Sequence, residues 1–216
     1  IIGARLYYIL FDLPQYIADP IQIFNIRSGG LAIYGGLIAG AITLYFFTKY
    51  HFISMWTFLD IAAPSVILAQ AIGRWGNFMN HEAYGPVTTR IFLENLHIPR
   101  FIIDNMYIEG FYRQPTFLYE SVWSLIGFIL LLFLRNKKHL LKKGEVLLVY
   151  VMWYSFGRFF IEGLRTDSLY FLGVIRISQL LSAFLFVGTI ILFIWRRKKG
   201  NLPDYDRTFG KNQMII

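Results

Sequence analysis

The sequence predicts an all-α integral membrane protein, a multi-span bundle of transmembrane helices. Hydrophobic residues make up 56% of the 216 residues and charged residues only 16%, which is more apolar than ordinary soluble domains. The apolar residues also occur in continuous runs of nearly the length that crosses a bilayer as a helix, and they lack the alternation typical of strands. These observations favour membrane-spanning helices over a soluble fold.

The first apolar run, from Ile1 to about Phe11, is expected to be the end of a truncated span that stops before Pro14. It begins with neither an initiator Met nor a charged leader, so we expect the natural N-terminus to be missing. Six spans are then visible, and seven are predicted for the full chain. The other apolar runs are centred near residues 31–47, 53–72, 117–134, 146–162 and 177–195.

The distribution of Lys and Arg orients these spans, because short cytoplasmic loops are enriched in both residues. The densest basic clusters are the loop RNKKHLLKK at 135–143 and RRKK at 196–199, and alternating spans place both on the cytoplasmic side. Segments near 12–28, 80–115 and 163–175 then face outward. The net charge of +8 therefore indicates topology and contact with anionic lipid head groups, and not nucleic-acid binding.

We expect one transmembrane domain over residues 1–200 and a cytoplasmic C-terminal tail at 201–216. The single long loop, 86–114, is predicted to form a small extracytoplasmic cap. Within it, the apolar residues of RFIIDNMYIEG alternate around Asp104 and Asn105, which predicts a β-hairpin centred on those two residues.

The chain lacks the residues for several kinds of chemistry. It has no cysteine, which excludes disulfides, thiolate metal sites and a cysteine nucleophile of its own. A thiol that takes part in a reaction would therefore come from the substrate. The histidines show no metal-ligand spacing, and neither a nucleotide-binding glycine loop nor a G-x-S-x-G elbow is present, so we expect no metal and no cofactor.

Charged residues inside the spans are the main indication of function. Each costs about 2.5–3.5 kcal/mol to insert, and such residues normally face a cavity or a partner. Arg158, Glu162 and Arg165 are spaced to share one helical face. One interpretation is that the charges only pair with each other to hold the bundle together, and the other is that they form a functional site. The charged residues inside or at the ends of the predicted spans are Asp60, Arg74, Glu120, Arg158, Glu162 and Arg165.

Arginine is suited to phosphate because its guanidinium stays charged and presents a planar fork of donors. Arg74 and Arg158 lie on different predicted helices near the outward half of the membrane, at the depth of lipid head groups. The glycines beside Arg74 permit close backbone approach or a break in the helix. Asn77 and Asn80 can satisfy backbone groups or bind a glycerol hydroxyl. Together these residues predict a phospholipid site.

A second glycine-rich stretch, SGGLAIYGGLIAG at 28–40, allows two interpretations. Gly36 and Gly40 would permit close packing of helices. Alternatively, Gly35 and Gly36 would open space beside Tyr34 for a lipid or a peptide. Tyr34 itself could be an interfacial aromatic anchor.

The stretch GRWGNFMNHEAYG at 73–85 resembles the signature G-R-x-G-N-F-x-N-x-E-x-x-G of bacterial prolipoprotein diacylglyceryl transferases at all its fixed positions. Three further blocks are similar to that family and follow its order. They are GGLAIYGGL before the signature, and QPTFLYE (114–120) and GRFFIEGLRTD (157–167) after it. The resemblance covers nearly the whole chain, and the N-terminal part of the family pattern is absent.

The resemblance implies an enzyme of the bacterial cell membrane with an active site toward the extracytoplasmic side. Such an enzyme transfers the diacylglyceryl group of phosphatidylglycerol to the lipobox cysteine of a prolipoprotein signal peptide and releases glycerol phosphate, the first step of lipoprotein maturation. Its partners are these two substrates and the lipid bilayer. The resemblance places the family's two essential arginines at Arg74 and Arg158. It also carries over Asn77, Glu82 and Gly85 from the signature, Asp60 upstream of it, and Glu162 and Arg165 downstream.

The chemistry of this transfer fits these residues. Negative charge grows on the departing phosphate, and Arg74 and Arg158 can stabilise it. The thiol must lose its proton because the thiolate is the nucleophile. The acceptor of that proton is left open between Tyr34, Glu82 and the departing phosphate, and many family members have His where this chain has Tyr34. Alternatively, a membrane transporter or channel for a phosphate-containing anion would use the same arginines, and a purely structural subunit would tolerate their loss.

Overall fold

A computed structural model of the chain describes residues 1–27, 29–166, 170–171, 175–200 and 202–205. They belong to two compact units, an N-terminal unit, Ile1–Phe58, and a larger unit that begins at Leu59. Of the predicted tail, residues 201 and 206–216 lie outside the described part of the chain.

The N-terminal unit is built on the packing of α1 (Ile2–Phe11) against α3 (Ile33–Tyr50), with α2 (Leu13–Ala18) and a 3₁₀ turn (Pro20–Phe24) between them. The helices approach closely at Gly35, where a Cβ would collide with the carbonyl oxygen of Gly3 and with Cβ of Tyr7. The prediction that Gly36 and Gly40 provide close packing is wrong. A Cβ at Gly36 would make an ordinary 3.7 Å contact, and one at Gly40 would have no described atom within 4 Å.

The buried side chain of Arg5 organises the loop between the 3₁₀ turn and α3. The ring of Tyr16 lies 5.1 Å from its guanidinium carbon. Its nitrogens donate to backbone carbonyl oxygens of Ile23 (3.0 Å), Gly29 (3.0 Å), Gly30 (2.9 Å), Asn25 (3.1 Å) and Gln22. Arginine alone carries enough N–H groups in one planar fork to serve all of these acceptors.

Arg5→Lys is expected to destabilise the N-terminal unit by about 2–4 kcal/mol, because lysine has three donors and leaves some of these carbonyls unpaired. Thermal unfolding in detergent micelles measures the loss, and limited proteolysis should cut between residues 22 and 30 more readily. Arg27→Lys is the matched control, since Arg27 is exposed. Equal unfolding temperatures for the two variants would contradict this role of Arg5.

The larger helices follow the predicted spans. They are α4 (Met55–Met79), α7 (Thr116–Arg135), α8 (Glu145–Leu164) and α9 (Ile177–Lys199). Among the described residues, these four helices are long and apolar enough to cross a membrane. The 18-residue α3 and the 10-residue α1 are outside this group, so their crossing of the bilayer stays a prediction.

The loop between α4 and α7 folds into a small cap. It contains the short helices α5 (Arg90–Asn95) and α6 (Arg100–Asn105) and a sheet of β1 (Val87–Thr88), β2 (Tyr107–Ile108) and β3 (Phe111–Arg113) in the order β1-β3-β2, all antiparallel. A second strand pair, β4 (Tyr170–Phe171) with β5 (Ile175–Arg176), precedes α9.

A β-hairpin is present in the cap, but the prediction that it is centred on Asp104 and Asn105 is wrong. Those two residues end α6. The hairpin joins β2 to β3 through Glu109 and Gly110, whose φ angles of 54° and 84° are both positive. A two-residue turn of this kind matches the twist of the strands, and Gly110 adopts its conformation without strain.

The cap is attached to the helix ends by an apolar cluster. Leu93 of α5, and Ile102 and Ile103 of α6, are buried against Phe78 at the end of α4 and Phe117 at the start of α7. Burying such side chains stabilises the cap by roughly 1.5–3 kcal/mol each. The last turn of α4 and the first turn of α7 are therefore held together by the loop that connects them.

A cluster of charged groups fixes the opposite ends of the helices. Asp60 accepts hydrogen bonds from the N–H groups of Gly144 (2.5 Å) and Leu147 (2.9 Å) at the start of α8. Glu145 is fully buried, and each of its carboxylate oxygens accepts a 2.7 Å hydrogen bond from Arg197 of α9. We call Asp60, Glu145 and Arg197 the basal cluster. Asp60 joins α4 to α8 through hydrogen bonds to backbone N–H groups, and the ion pair of Glu145 with Arg197 joins α8 to α9.

Candidate active site

Arg74 of α4 and Arg158 of α8 converge on one carboxylate. Nη1 of Arg158 lies 2.5 Å from Oε1 of Glu120, and Nε of Arg74 forms an ion pair with Oε2 of the same side chain. Glu120 is nearly buried, with 8% of its side chain exposed, against 22% for Arg74 and 15% for Arg158. A single glutamate on α7 therefore bridges two arginines from separate helices.

The arrangement of the helices explains this convergence. Arg74 and Arg158 lie near the C-terminal ends of α4 and α8, and Glu120 lies in the first turns of α7. Beside it, Ser121 fixes α7 to α4, because its Oγ donates to the carbonyl oxygen of Ala71 (2.9 Å) and accepts from Nε1 of Trp75 (3.2 Å). Ser121 is a supporting residue that sequence reasoning missed. A lone serine in an apolar run carries no signal of this contact.

Arg158 has a second anionic partner one turn along its own helix. Its Nη2 lies 2.6 Å from Oε2 of Glu162, whose side chain is only 3% exposed. The pair has the predicted i, i+4 spacing. With Glu120 and Arg74, these residues form a group of two cations and two anions. Pairing offsets part of the large cost of burying each charge.

A polar rim extends from Arg74 toward solvent. Its Nη1 donates a long hydrogen bond of 3.4 Å to Oδ1 of Asn77, and Nδ2 of Asn77 donates to Oε1 of Glu82 (3.0 Å). Nδ2 of Asn80 donates to the same oxygen (3.2 Å). Asn80 and Glu82 are exposed, whereas Glu162 is buried. The predicted residues of the signature thus form one hydrogen-bonded series from the bundle to its surface.

The glycines of the signature have different surroundings. The N–H of Gly85 donates to the carbonyl oxygen of Gln114 (2.9 Å), and a Cβ at Gly85 would lie 2.9 Å from Cβ of Gln114. Gly85 therefore permits a close approach of the chain to the residues before α7. Gly73 and Gly76 lie within α4, which is not broken there, and a Cβ at either would have no described atom within 4 Å.

Of the remaining predicted site residues, Asp60 lies away from this network. Asp60 precedes Arg74 by 14 residues on α4, about 21 Å along the axis, and its contacts are with the start of α8. Arg165 directly follows the end of α8, where the backbone becomes extended (φ −76°, ψ 142°), and its role in the site stays a prediction. Tyr34 lies in the first turn of α3 in the N-terminal unit, and its side chain is exposed. Its catalytic role stays a prediction.

Comparisons with known proteins cover almost the whole chain. The family model described as prolipoprotein diacylglyceryl transferase matches residues 1–195. The chain is 66% identical over 214 residues to the phosphatidylglycerol–prolipoprotein diacylglyceryl transferase of Enterococcus faecalis, an alignment that covers 99% of this chain and 77% of that protein. Proteins of the same name from Pediococcus pentosaceus and Limosilactobacillus reuteri are each 56% identical. They align over 95% and 98% of this chain and over 74% and 76% of their own length.

Proposed function

Because the chain belongs to the prolipoprotein diacylglyceryl transferase family, we infer that it transfers the diacylglyceryl group of phosphatidylglycerol to a prolipoprotein. The names of its relatives state both substrates. They favour a transferase over a transporter or channel for phosphate-containing anions. The finer proposals are that the acceptor is the lipobox cysteine of the signal peptide and that the site is built on Arg74 and Arg158.

The proposed reaction exchanges one bond for another at a glycerol carbon. The cysteine sulfur forms a bond to the carbon that carries the phosphate, the bond from that carbon to the phosphate oxygen breaks, and glycerol phosphate leaves with the electron pair. Negative charge therefore grows on the leaving phosphate. The observation that carries the proposal is that two guanidinium groups converge at one point near the end of the bundle, where they can bind and stabilise this phosphate.

Glu120 is proposed to orient the two arginines. Each of its carboxylate oxygens contacts a different guanidinium, so the two cationic groups are aimed at the same place before a lipid binds. Glu162 supports Arg158 from the side. Positioning of this kind lowers the reorganisation that the transition state requires.

Asn77 and Asn80 are proposed to bind the lipid headgroup, and Glu82 is oriented by both of their amides. The acceptor of the thiol proton is still open between Glu82, Tyr34 and the departing phosphate. Gly85 and Arg165 remain proposed contributors to the lipid site.

The proposed orientation places the cap outside and the basic loop 135–143 inside the cell. The candidate site lies at the cap end of α4, α7 and α8, while the basal cluster joins the opposite ends, next to the basic residues that close α9. Basic segments favour the cytoplasmic side. The active site would then lie toward the extracytoplasmic face, at the depth of lipid head groups.

The direct test is to incubate the purified protein with phosphatidylglycerol and a peptide that carries a lipobox cysteine, and then to measure the mass of the peptide. We expect an increase equal to one diacylglyceryl unit. The same peptide with serine in place of the cysteine is the control and should stay unmodified. A folded protein that leaves the cysteine peptide unchanged in vesicles of phosphatidylglycerol would contradict the proposal.

A further inference from the structure

Two tryptophans form a reciprocal contact between α7 and α8, beside the candidate site. The rings of Trp123 and Trp153 are stacked, with centroids 4.2 Å apart and an interplanar angle of 12°. Nε1 of Trp123 donates to the carbonyl oxygen of Trp153, and Nε1 of Trp153 donates to that of Trp123, both at 3.0 Å. Each indole N–H is therefore satisfied by the partner helix.

A glycine faces each indole ring. A Cβ at Gly157 would collide with the ring of Trp123, and a Cβ at Gly127 would collide with the ring of Trp153. The same pattern, W-x-x-x-G, thus occurs on both helices, as WSLIG at 123–127 and WYSFG at 153–157. We call these four residues the tryptophan clasp. Because residue 123 faces 157 and residue 127 faces 153, the clasp fixes two antiparallel helices in one register.

The clasp adjoins the ion pair between Glu120 and Arg158. Glu120 lies one helical turn before Trp123, and Arg158 directly follows Gly157. A shift of one residue along either helix moves a side chain by about 1.5 Å. Such a shift would disrupt the 2.5 Å contact between the Glu120 carboxylate and Arg158.

We propose that Trp123 and Trp153 are positioning residues for the transfer reaction, which set the register in which Glu120 holds Arg158. This inference rests on the proposed function. The alternative is that the clasp only packs the two helices together. In that case, changing it lowers the stability of the protein and leaves the turnover of folded molecules unaltered.

The test is Gly157→Ala in the complete chain, which places a methyl group where the ring of Trp123 now lies. We expect kcat for lipidation of the lipobox peptide to fall about tenfold or more, with little change in KM, because the arginine is displaced from its productive position. Gly188→Ala on α9 is the matched control, since a Cβ there has no described atom within 4 Å. Its kcat should equal that of the parent.

A double-mutant cycle separates positioning from packing. If the clasp acts through the ion pair, Glu120→Gln lowers kcat less in the Gly157→Ala background than in the parent. Strictly additive effects would overturn the inference, as would a Gly157→Ala variant with the parent's kcat. If Gly157→Ala does not fold, Trp153→Phe keeps an aromatic ring but removes the N–H donor and one ring of the indole, and a several-fold loss of kcat is expected from it. An unchanged kcat in that variant is equally contradictory.

A second readout does not depend on activity. Stacked indoles give exciton coupling in circular dichroism, and we expect this signal in the parent and in Gly188→Ala, but not in Trp153→Phe. Its absence from the parent would overturn the clasp. A parent that shows the signal but no lipidation would instead overturn the proposed function, and the positioning role with it. If the parent is active and Gly157→Ala has the same kcat, only the positioning role is overturned.

Discussion

Arg158→Ala is expected to lower kcat for diacylglyceryl transfer by about 100- to 1,000-fold, the usual effect of removing one preorganised donor from the place where charge develops. Arg158 is held by Glu120 and Glu162, and its side chain is 15% exposed. The substitution therefore removes a guanidinium that is fixed in place, and not a mobile charge at the surface. Initial rates of peptide lipidation, measured by mass spectrometry at saturating phosphatidylglycerol, give the effect.

Two further variants make this result specific. Arg158→Lys keeps the positive charge but not the planar fork, so its activity should lie between those of the parent and Arg158→Ala. Arg100→Ala removes an exposed arginine of the cap and should leave the rate unchanged. Since Arg158→Ala also leaves two carboxylates with less compensation, folding must be checked by size-exclusion chromatography. A folded Arg158→Ala protein with the parent's kcat would remove Arg158 from the proposed site.

Arg197→Ala is expected to lower the free energy of unfolding by about 3–5 kcal/mol, because it leaves a buried carboxylate without its charged partner. That carboxylate belongs to Glu145, which is fully buried and receives two hydrogen bonds from Arg197. The change lies at the end of the bundle opposite the candidate site. We therefore expect the kcat of the molecules that remain folded to be that of the parent, as measured by lipidation rates normalised to folded protein.

The physical cause of this loss can be tested directly. Glu145→Gln combined with Arg197→Ala removes the unpaired charge and should recover part of the lost stability. Lys198→Ala changes an exposed neighbour on α9 and should unfold at the temperature of the parent. Equal unfolding temperatures for Arg197→Ala and Lys198→Ala would show that the ion pair contributes nothing to stability.

The helices could be predicted from sequence because continuous apolar runs have no other stable conformation in a bilayer. The predicted spans at 117–134 and 146–162 differ from α7 and α8 by no more than two residues at either end. The prediction for 53–72 ended too early. Helix α4 continues to Met79, because Trp75 and Phe78 are packed against Phe117. These tertiary contacts outweigh the weak helix preference of the glycines beside Arg74.

The site could be predicted in part. The signature located Arg74, Asn77 and Glu82, and the rarity of charge inside a span located Arg158. Sequence reasoning could not show that Glu120 joins the two arginines, because that contact depends on how three helices pack. It also grouped Asp60 with these charges. The presence of a charge in a span does not show that it lies near the other charges, because α4 is 25 residues long and Asp60 and Arg74 lie toward its opposite ends.

The repeated W-x-x-x-G pattern is a feature of the sequence that could have indicated the contact between α7 and α8. Tryptophan four residues before glycine occurs on both α7 and α8. Without the structure, however, interfacial anchoring explains such tryptophans equally well. Only the opposed geometry of Trp123 and Trp153 distinguishes the two interpretations.

Sharing Glu120 between two arginines has a consequence for how the headgroup is held. The site already contains its own anion, so two bare cations do not have to be maintained at this end of the bundle. A guanidinium carries five N–H groups, and Glu120 uses only part of those on each arginine. A lipid phosphate can then be held by other donors of the two arginines, while the carboxylate stays between them and keeps both in place throughout the reaction.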